Sequence, residues 1–198
     1  MNNLSFYLLA LIILAFVFQM INGGLTSTLT QIGVFAPSLA FVQPWRFLTS
    51  IFLHGGITHL FFNAYALFLF GTILESKVNK NDFLILFFGA GLIGNLFYLL
   101  TYILGIIPPI PALGASGAIY GILGAVAILL PDMVIYMWFF PMRMREATLF
   151  WIVLELLGTF DVSSGIASAA HLGGLLFGLV YGWHLKRKIN EAAWWQTS

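Results

Sequence analysis

The sequence predicts an all-α integral membrane protein, a bundle of six transmembrane helices with a long membrane-associated first loop. Hydrophobic residues make up 61% of its 198 residues and charged residues only 8%, against about 25% charged in an ordinary soluble domain. Six apolar runs are candidate helices, and all basic residues except Arg46 fall on one side of a six-helix arrangement. A soluble fold of this length could not cover its core with so few charges.

The apolar runs define the predicted helices, because a span needs about 20 apolar residues, with about 17–25 as the range. The fifth run is short and contains Glu155. The first run lacks the basic segment of a secretory signal and is longer than its usual apolar stretch, although a cleaved signal stays the alternative. We expect one domain with helices at 4–21, 57–74, 83–107, 113–130, 147–158 and 168–185 and a short cytoplasmic tail at 186–198.

The basic residues orient this bundle. If six helices alternate, only Arg46 falls on one side, and the opposite side receives Lys77, Lys80, Arg143, Arg145 and Lys186–Lys188. The positive-inside rule then places both termini in the cytoplasm. We therefore expect a multi-pass protein of the plasma membrane. A five-helix alternative, without the weak fifth helix, would scatter these charges.

The segment 22–56 is long for a connection within a compact bundle and lies outside in this orientation. It mixes Gly23, Gly24, Pro37 and Pro44 with apolar pieces. That composition favours short helices lying in the outer leaflet. Tryptophan is typical of the headgroup level, where Trp45 is expected.

Charge and cysteine content exclude several classes of function. The net charge of +1 provides no basic field for nucleic acid, so no nucleic-acid partner is expected. The chain has no cysteine, which excludes a thiol nucleophile, a disulfide framework and cysteine-ligated metal sites.

Polar residues occur where three predicted helices enter from the outside. Ser116 opens the fourth helix, His171 the sixth, and His59 and Asn63 the second. Polar groups inside a membrane are costly and indicate function. A serine beside a general base is the arrangement that nucleophilic catalysis needs. The sequence therefore indicates peptide hydrolysis within the membrane.

Glycines recur along the same two helices. Small residues let helix backbones approach closely in a membrane. Such an approach would bring Ser116 within reach of His171. The two glycine series are Gly117, Gly121 and Gly124, and Gly174, Gly178 and Gly182.

His59 and Asn63 are four residues apart and share one face of the second helix. Both side chains can donate hydrogen bonds to an oxyanion. A metal site is the alternative, but the chain supplies neither a carboxylate at that depth nor a cysteine.

Several motifs in order resemble one known family, the rhomboid intramembrane serine proteases in their basic six-helix form. The glycine-serine tetrapeptide alone is weak, and the combination is specific. The matching residues are Trp45-Arg46; His54, His59 and Asn63; Gly71 and Glu75; Gly114-Ala115-Ser116-Gly117 with Tyr120; and Ala170-His171-Leu172-Gly173-Gly174 with Gly178.

The resemblance implies a serine endopeptidase without a cofactor, in which Ser116 is the nucleophile and His171 the general base and then general acid. It also implies a dyad that lacks a third acid. Glu75 lies at the wrong end of the second helix, and Glu155 is expected deep on the fifth. Asp161 is then the only acid on the correct side that could approach His171.

The resemblance assigns His59, Asn63 and the backbone N–H of Ser116 to an oxyanion hole. It also implies that the Tyr120 ring packs against His171. Gly117, Gly174 and Gly178 are expected to support the site by close packing of the fourth and sixth helices.

The poorly held fifth helix favours a lateral gate for substrate, and the resemblance implies the same, with the following loop as a cap. Phe150 and Trp151 are gate candidates by position only. Arg46 is expected to tie the first loop down through carbonyl contacts, and Glu75 to anchor the inner end of the second helix.

The resemblance implies single-span membrane proteins as substrates, within membrane lipid. Two other classes stay open. A small transporter could use intramembrane polar residues, although they cluster on one side and no inverted repeat is visible. A catalytically inactive relative acting as a scaffold would lack the serine or the histidine, whereas this chain has both.

Overall fold

The protein is mostly helical, as a computed structural model of residues 3–137, 139–161, 163 and 165–194 describes it. Residues 186–194 continue the last helix, and residues 195–198 of the expected tail lie outside the described part. The long helices are α1 Leu4–Ile21, α2 Ile57–Glu75, α3 Lys80–Ile103, α4 Ser116–Leu129, α5 Met144–Gly158 and α6 Ser168–Trp194.

Three of these helices, α1, α2 and α3, are long and apolar enough to cross a membrane. α4 is apolar but shorter, with 14 residues. α2 contains one π-helical segment, Leu67–Gly71. Together with its composition, these helices make the chain an integral membrane protein. Crossing of the bilayer by α4, α5 and α6 stays a prediction.

A small β-hairpin between α4 and α5 departs from the all-α expectation. Strand β1, Val134–Met137, pairs antiparallel with β2, Phe140–Arg143. Both strands carry β-branched or aromatic residues, which favour extended backbone. Pro141 lacks an N–H and would disturb a helix interior, so this connection folds locally as a hairpin.

The first loop is held together by Arg46. Its buried guanidinium donates through Nη1 to the carbonyl oxygens of Gln31 and Val34, both at 2.6 Å, and through Nε to the Gln43 side chain at 2.5 Å. A buried cation needs such partners. The short helices of this loop are Gly24–Thr26, Thr28–Gly33, Pro37–Leu39, Arg46–Thr49 and Ser50–Phe52.

The same loop fixes the segment that leads into α4. Phe35 and Ala112 exchange two backbone hydrogen bonds of 2.8 Å, and the Gly114 N–H donates to the Ser50 carbonyl at 2.9 Å. The Asn95 side chain on α3 donates to Ser50 Oγ at 3.0 Å. The residues just before Ser116 are therefore held by two distant parts of the chain.

Glu75 joins the end of α2 to the start of α1. Its carboxylate accepts hydrogen bonds from the backbone N–H groups of Leu4 at 2.5 Å and Ser5 at 3.1 Å, and from Ser5 Oγ at 2.8 Å. The first N–H groups of a helix have no partner within the helix, and a negative charge there is favourable. Glu75 therefore has a structural role far from Ser116.

Asp82 makes the corresponding connection between α3 and α6. Its carboxylate lies 2.8 Å from Lys188 Nζ and accepts a 3.1 Å hydrogen bond from the Tyr181 hydroxyl. Asn79 caps α3 by accepting from the Asp82 N–H at 2.9 Å. The two helices are thus tied at one end of the bundle.

α4 and α6 approach so closely that glycine is required at their contact. A Cβ added to Gly174 would lie 2.0 Å from the Gly117 carbonyl oxygen, and one added to Gly178 would lie 2.0 Å from the Gly121 oxygen. Real Cβ atoms do not make such contacts with backbone, which cannot move aside as a flexible side chain can. The backbones of the two helices therefore touch over successive turns.

We predict that Gly174→Ala destabilises the protein far more than Gly117→Ala. A Cβ at position 117 would be 3.5 Å from the Ala170 oxygen, an ordinary contact, whereas one at 174 strikes backbone at 2.0 Å. Overpacking costs about 1–3 kcal/mol, occasionally more. Thermal unfolding in detergent measures both. Equal midpoints for the two variants would contradict the close contact described here.

Candidate active site

The side chains of Ser116 and His171 meet across the contact between α4 and α6. Ser116 Oγ lies 2.7 Å from His171 Nε2, within hydrogen-bond distance. Ser116 is the first residue of α4, and His171 lies in the first turn of α6. Both helices therefore begin at the same level, and their glycine contact sets the distance between the two side chains.

Tyr120 covers one face of the His171 ring. The two rings are stacked, with centroids 4.5 Å apart and an angle of 8° between their planes. Tyr120 follows Ser116 by four residues, so it faces the same side of α4. Trp151 on α5 makes an edge contact with Tyr120 at 6.4 Å. The imidazole is thereby limited in rotation.

The expectation that Glu155 lies away from His171 is wrong. Glu155 Oε1 is 3.1 Å from His171 Nδ1, and the Tyr120 hydroxyl donates a hydrogen bond to the same oxygen. Glu155 precedes the end of α5 at Gly158 by three residues, or about 4.5 Å of helix. α5 ends where α6 begins, so its last turn is level with His171. Counting three residues back from Gly158 in the sequence would have placed Glu155 in the last turn of the fifth helix, at the level of His171.

Asp161, the acid expected nearest to His171, lies beyond the end of α5. Its carboxylate accepts hydrogen bonds from the backbone N–H of Ser163 at 3.1 Å and from Ser163 Oγ at 2.5 Å. This is a local turn interaction. Residues 162 and 164 of the expected cap loop lie outside the described part of the chain.

His59 has one ring nitrogen fixed by the backbone. The Gly55 N–H donates to His59 Nδ1 at 3.2 Å, which leaves the ring proton on Nε2. A Cβ on Gly114 would lie 2.8 Å from His59 Nε2 and 3.6 Å from Ser116 Oγ. Gly114 also has a φ of +127°, which disfavours other residues. Glycine therefore lets the Nε2–H side of His59 approach Ser116.

Asn63 is buried one turn further along α2. Its Nδ2 donates to the carbonyl of His59 at 2.8 Å, which uses one of its two amide hydrogens. Among the described residues, no group of three or more His, Asp or Glu side chains could hold a metal ion.

These side chains line a cavity of about 880 Å³. Its wall includes His59, Asn63, Ser116, His171 and Trp151. The volume lies within the range of about 300–1,000 Å³ that is typical of ligand sites. Phe150, the other gate candidate, is 46% exposed on the outer surface of α5 and is not part of this wall.

His54 supports this region from a fully buried position. The Gln19 side chain on α1 bonds both its backbone N–H, at 3.1 Å, and its carbonyl, at 2.9 Å. The His54 ring contacts the His59 ring edge-on at 5.2 Å. Burial, together with the nearby His59, lowers the pKa of His54 to about 4. His54 is therefore a neutral packing partner of His59.

Residues 42–188 match the Rhomboid domain family. This chain therefore belongs to the rhomboid family. It is similar to Rhomboid protease GluP of Bacillus subtilis (strain 168), with 34% identity over 178 residues, 88% of this chain and 33% of that protein. Rhomboid protein 1, mitochondrial, of Saccharomyces cerevisiae is 32% identical over 151 residues, 72% of this chain and 42% of that protein.

The chain spans 33% and 42% of the length of these two relatives. Rhomboid proteases reside in membranes and act on transmembrane substrates. The family also has inactive members. One relative is named Inactive RHOMBOID-like protein 8 of Arabidopsis thaliana, with 33% identity over 81 residues, 41% of this chain and 22% of that protein.

We predict that the protein loses stability as pH falls from 6.5 toward 4 because His54 is buried. The pKa of His54 drops from 6.5 to about 4 on folding, so in this range the unfolded chain binds the proton first. The contribution of His54 to stability is then complete above pH 6.5 and declines by at most about 1.4 kcal/mol per pH unit.

Thermal unfolding in detergent across this range measures the slope. His54→Gln should make this slope less steep, and His184→Gln, at an exposed position on α6, is the control that should leave it unchanged. A wild-type slope that persists in His54→Gln would contradict this assignment.

Proposed function

We propose that this protein is an intramembrane serine endopeptidase that cleaves single-span membrane proteins near the outer face of the bilayer. The 2.7 Å approach of Ser116 Oγ to His171 Nε2 is the observation that carries the proposal. A hydroxyl at this distance from an imidazole nitrogen has the geometry of a nucleophile and its general base. Membership of the rhomboid family supports the same activity.

In the proposed reaction, Ser116 Oγ attacks the scissile carbonyl carbon while its proton moves to His171 Nε2. His171 then gives this proton to the leaving amine as the carbon–nitrogen bond breaks. Water next attacks the acyl carbon and gives one proton to His171. The bond between this carbon and Ser116 Oγ then breaks, Oγ takes the proton from His171, and the new carboxyl terminus of the product leaves. No cofactor takes part in these steps.

The oxyanion is stabilised by three donors in this proposal. The Ser116 N–H opens α4, where the helix offers it no internal partner. His59 presents its Nε2–H, and Asn63 keeps one amide hydrogen beyond its bond to the His59 carbonyl. Donors aimed at developing negative charge are among the largest contributions to catalysis.

We further propose that all six helices cross the membrane, with the first loop associated with the outer leaflet. Both termini then lie in the cytoplasm, and the plasma membrane is the expected location. Substrate enters laterally past α5, where Trp151 lies in the cavity wall and Phe150 faces outward. The Asp82–Lys188 pair, which ties α3 to α6, lies on the inner side in this orientation.

We expect Ser116→Ala and His171→Ala each to abolish cleavage of a single-span reporter substrate. Ser116→Ala should also abolish covalent labelling by a fluorophosphonate, which reacts with activated serines. The double variant should be no worse than either single one, because the two side chains act as a unit.

The measurements are cleavage in proteoliposomes and labelling in detergent, with Ser163→Ala as a control at an exposed serine. A wild-type protein that is neither labelled nor able to cleave the reporter would favour an inactive scaffold or a transporter. Cleavage retained by Ser116→Ala would refute the proposed nucleophile.

We also expect cleavage near the outer end of the substrate's membrane segment, after a small residue, with Gly or Pro just beyond the cut. A helix hides its carbonyl groups in backbone hydrogen bonds, so these residues lower the cost of unwinding. Mass spectrometry of the products locates the cut. Replacing the substrate's Gly or Pro with Leu should slow cleavage, and unchanged cutting of this stiffer segment would argue against the proposed site.

A further inference from the structure

Glu155 is a buried carboxylate at the end of α5 whose neighbours belong to the candidate site. Its side chain is only 10% exposed. A carboxylate inside an apolar bundle is costly unless other groups stabilise it, so its position needs a reason. Among the described residues, two other acids are buried. Glu75 binds the N–H groups at the start of α1, and Asp82 pairs with Lys188 on α6, whereas Glu155 contacts side chains around His171.

Two side chains, one from each of two other helices, contact this carboxylate. His171 Nδ1 lies 3.1 Å from Oε1, and the Tyr120 hydroxyl donates to the same oxygen. Glu155 is therefore fixed against the edge of the imidazole that faces away from Ser116.

The two nitrogens of His171 thus face different groups. Nε2 faces Ser116 Oγ at 2.7 Å, and Nδ1 faces Glu155 Oε1 at 3.1 Å. A neutral imidazole carries one proton, and it acts as a base toward Ser116 only when that proton is on Nδ1. A carboxylate at Nδ1 favours this tautomer and stabilises the imidazolium that forms during the reaction.

We propose that Glu155 is a positioning residue that completes a Ser116–His171–Glu155 arrangement, with Tyr120 holding the carboxylate in place. This inference rests on the proposed function and differs from the dyad without an acid that the sequence resemblance implies. Glu155 takes no proton: the Ser116 proton resides on Nε2, and Nδ1 keeps its own proton beside the carboxylate.

In the protein without substrate, Glu155 Oε1 is close enough to His171 Nδ1 for an ion pair. The two atoms do not form a hydrogen bond, because Oε1 lies off the direction in which an Nδ1–H points. Catalytic hydrogen bonds are often poorly aligned without substrate and tighten in the reacting complex. Tyr120 stacks on the His171 ring and donates to Glu155, so it holds the two side chains close enough for this hydrogen bond to form.

The test is Glu155→Gln, which preserves size and removes the charge. An amide at this position can donate to Nδ1 and so favour the wrong tautomer. We expect kcat to fall by about 10²–10⁴-fold with KM changed little, the upper figure being the loss when a triad Asp becomes Asn. Glu155→Asp should recover part of that loss. Glu191→Gln, at an exposed position on α6, is the matched control and should keep full activity.

A measurement on the wild-type protein needs no variant at Glu155. The chain has four histidines, so ¹⁵N NMR of histidine-labelled protein is assignable with His171→Gln as reference. We expect the Nδ1–H tautomer of His171 in the wild type and a mixed or Nε2–H tautomer in Glu155→Gln. A wild-type Nε2–H tautomer, or full kcat in Glu155→Gln, would overturn the inference.

These results separate the two proposals. If wild-type protein cleaves substrate and Ser116→Ala does not, the proposed function stands whatever Glu155→Gln does. If Glu155→Gln then matches the wild type, only the role of Glu155 fails. Size-exclusion elution and thermal unfolding of each variant identify loss of folding, in which case the wild-type tautomer decides the question.

Discussion

The close contact between α4 and α6 is the constraint on which the candidate site depends. Where Gly174 meets the Gly117 carbonyl and Gly178 meets that of Gly121, no Cβ fits between the backbones. Ser116 directly precedes Gly117, and His171 lies one turn before Gly174. A hydroxyl and an imidazole have short reach, so a wider separation of the helices would leave them unable to touch. Apolar packing alone does not require this spacing; the glycines permit it.

Two kinds of buried charged group are represented by Arg46, Glu75 and Glu155. Arg46 and Glu75 bind backbone carbonyl and N–H groups and thereby fix a loop and a helix start. Such contacts satisfy groups that the apolar surroundings would otherwise leave unpaired. Glu155 instead meets Tyr120 and His171. Tyr120 and His171 line the cavity, which is why we propose that Glu155 positions His171 rather than closing the fold.

The first loop shapes the site without lining its centre. Ser50 accepts from the Gly114 N–H, which holds the turn before Ser116 in a conformation with positive φ. The Gln19 side chain on α1 hydrogen-bonds the backbone of His54, and the His54 ring packs against the His59 ring. The helices carry Ser116 and His171, while the loop adjusts the approach of His59 toward them. The oxyanion donors proposed here therefore depend on contacts between distant parts of the chain.

The sequence alone determined the apolar runs that form helices, the residue order that marks the rhomboid family, and the level at which Ser116 and His171 begin their helices. Hydrophobic runs and glycine spacing are local properties, so they can be read along the chain. Tertiary structure alone decided that Glu155 faces His171, that a hairpin follows α4, and that the Gly55 N–H sets the tautomer of His59. Each of these three features depends on where an element ends, to within one helical turn, and on how the neighbouring element packs against it. Periodicity gives the face of a helix but not its distance from the next one, because that distance is set by all the side chains between them.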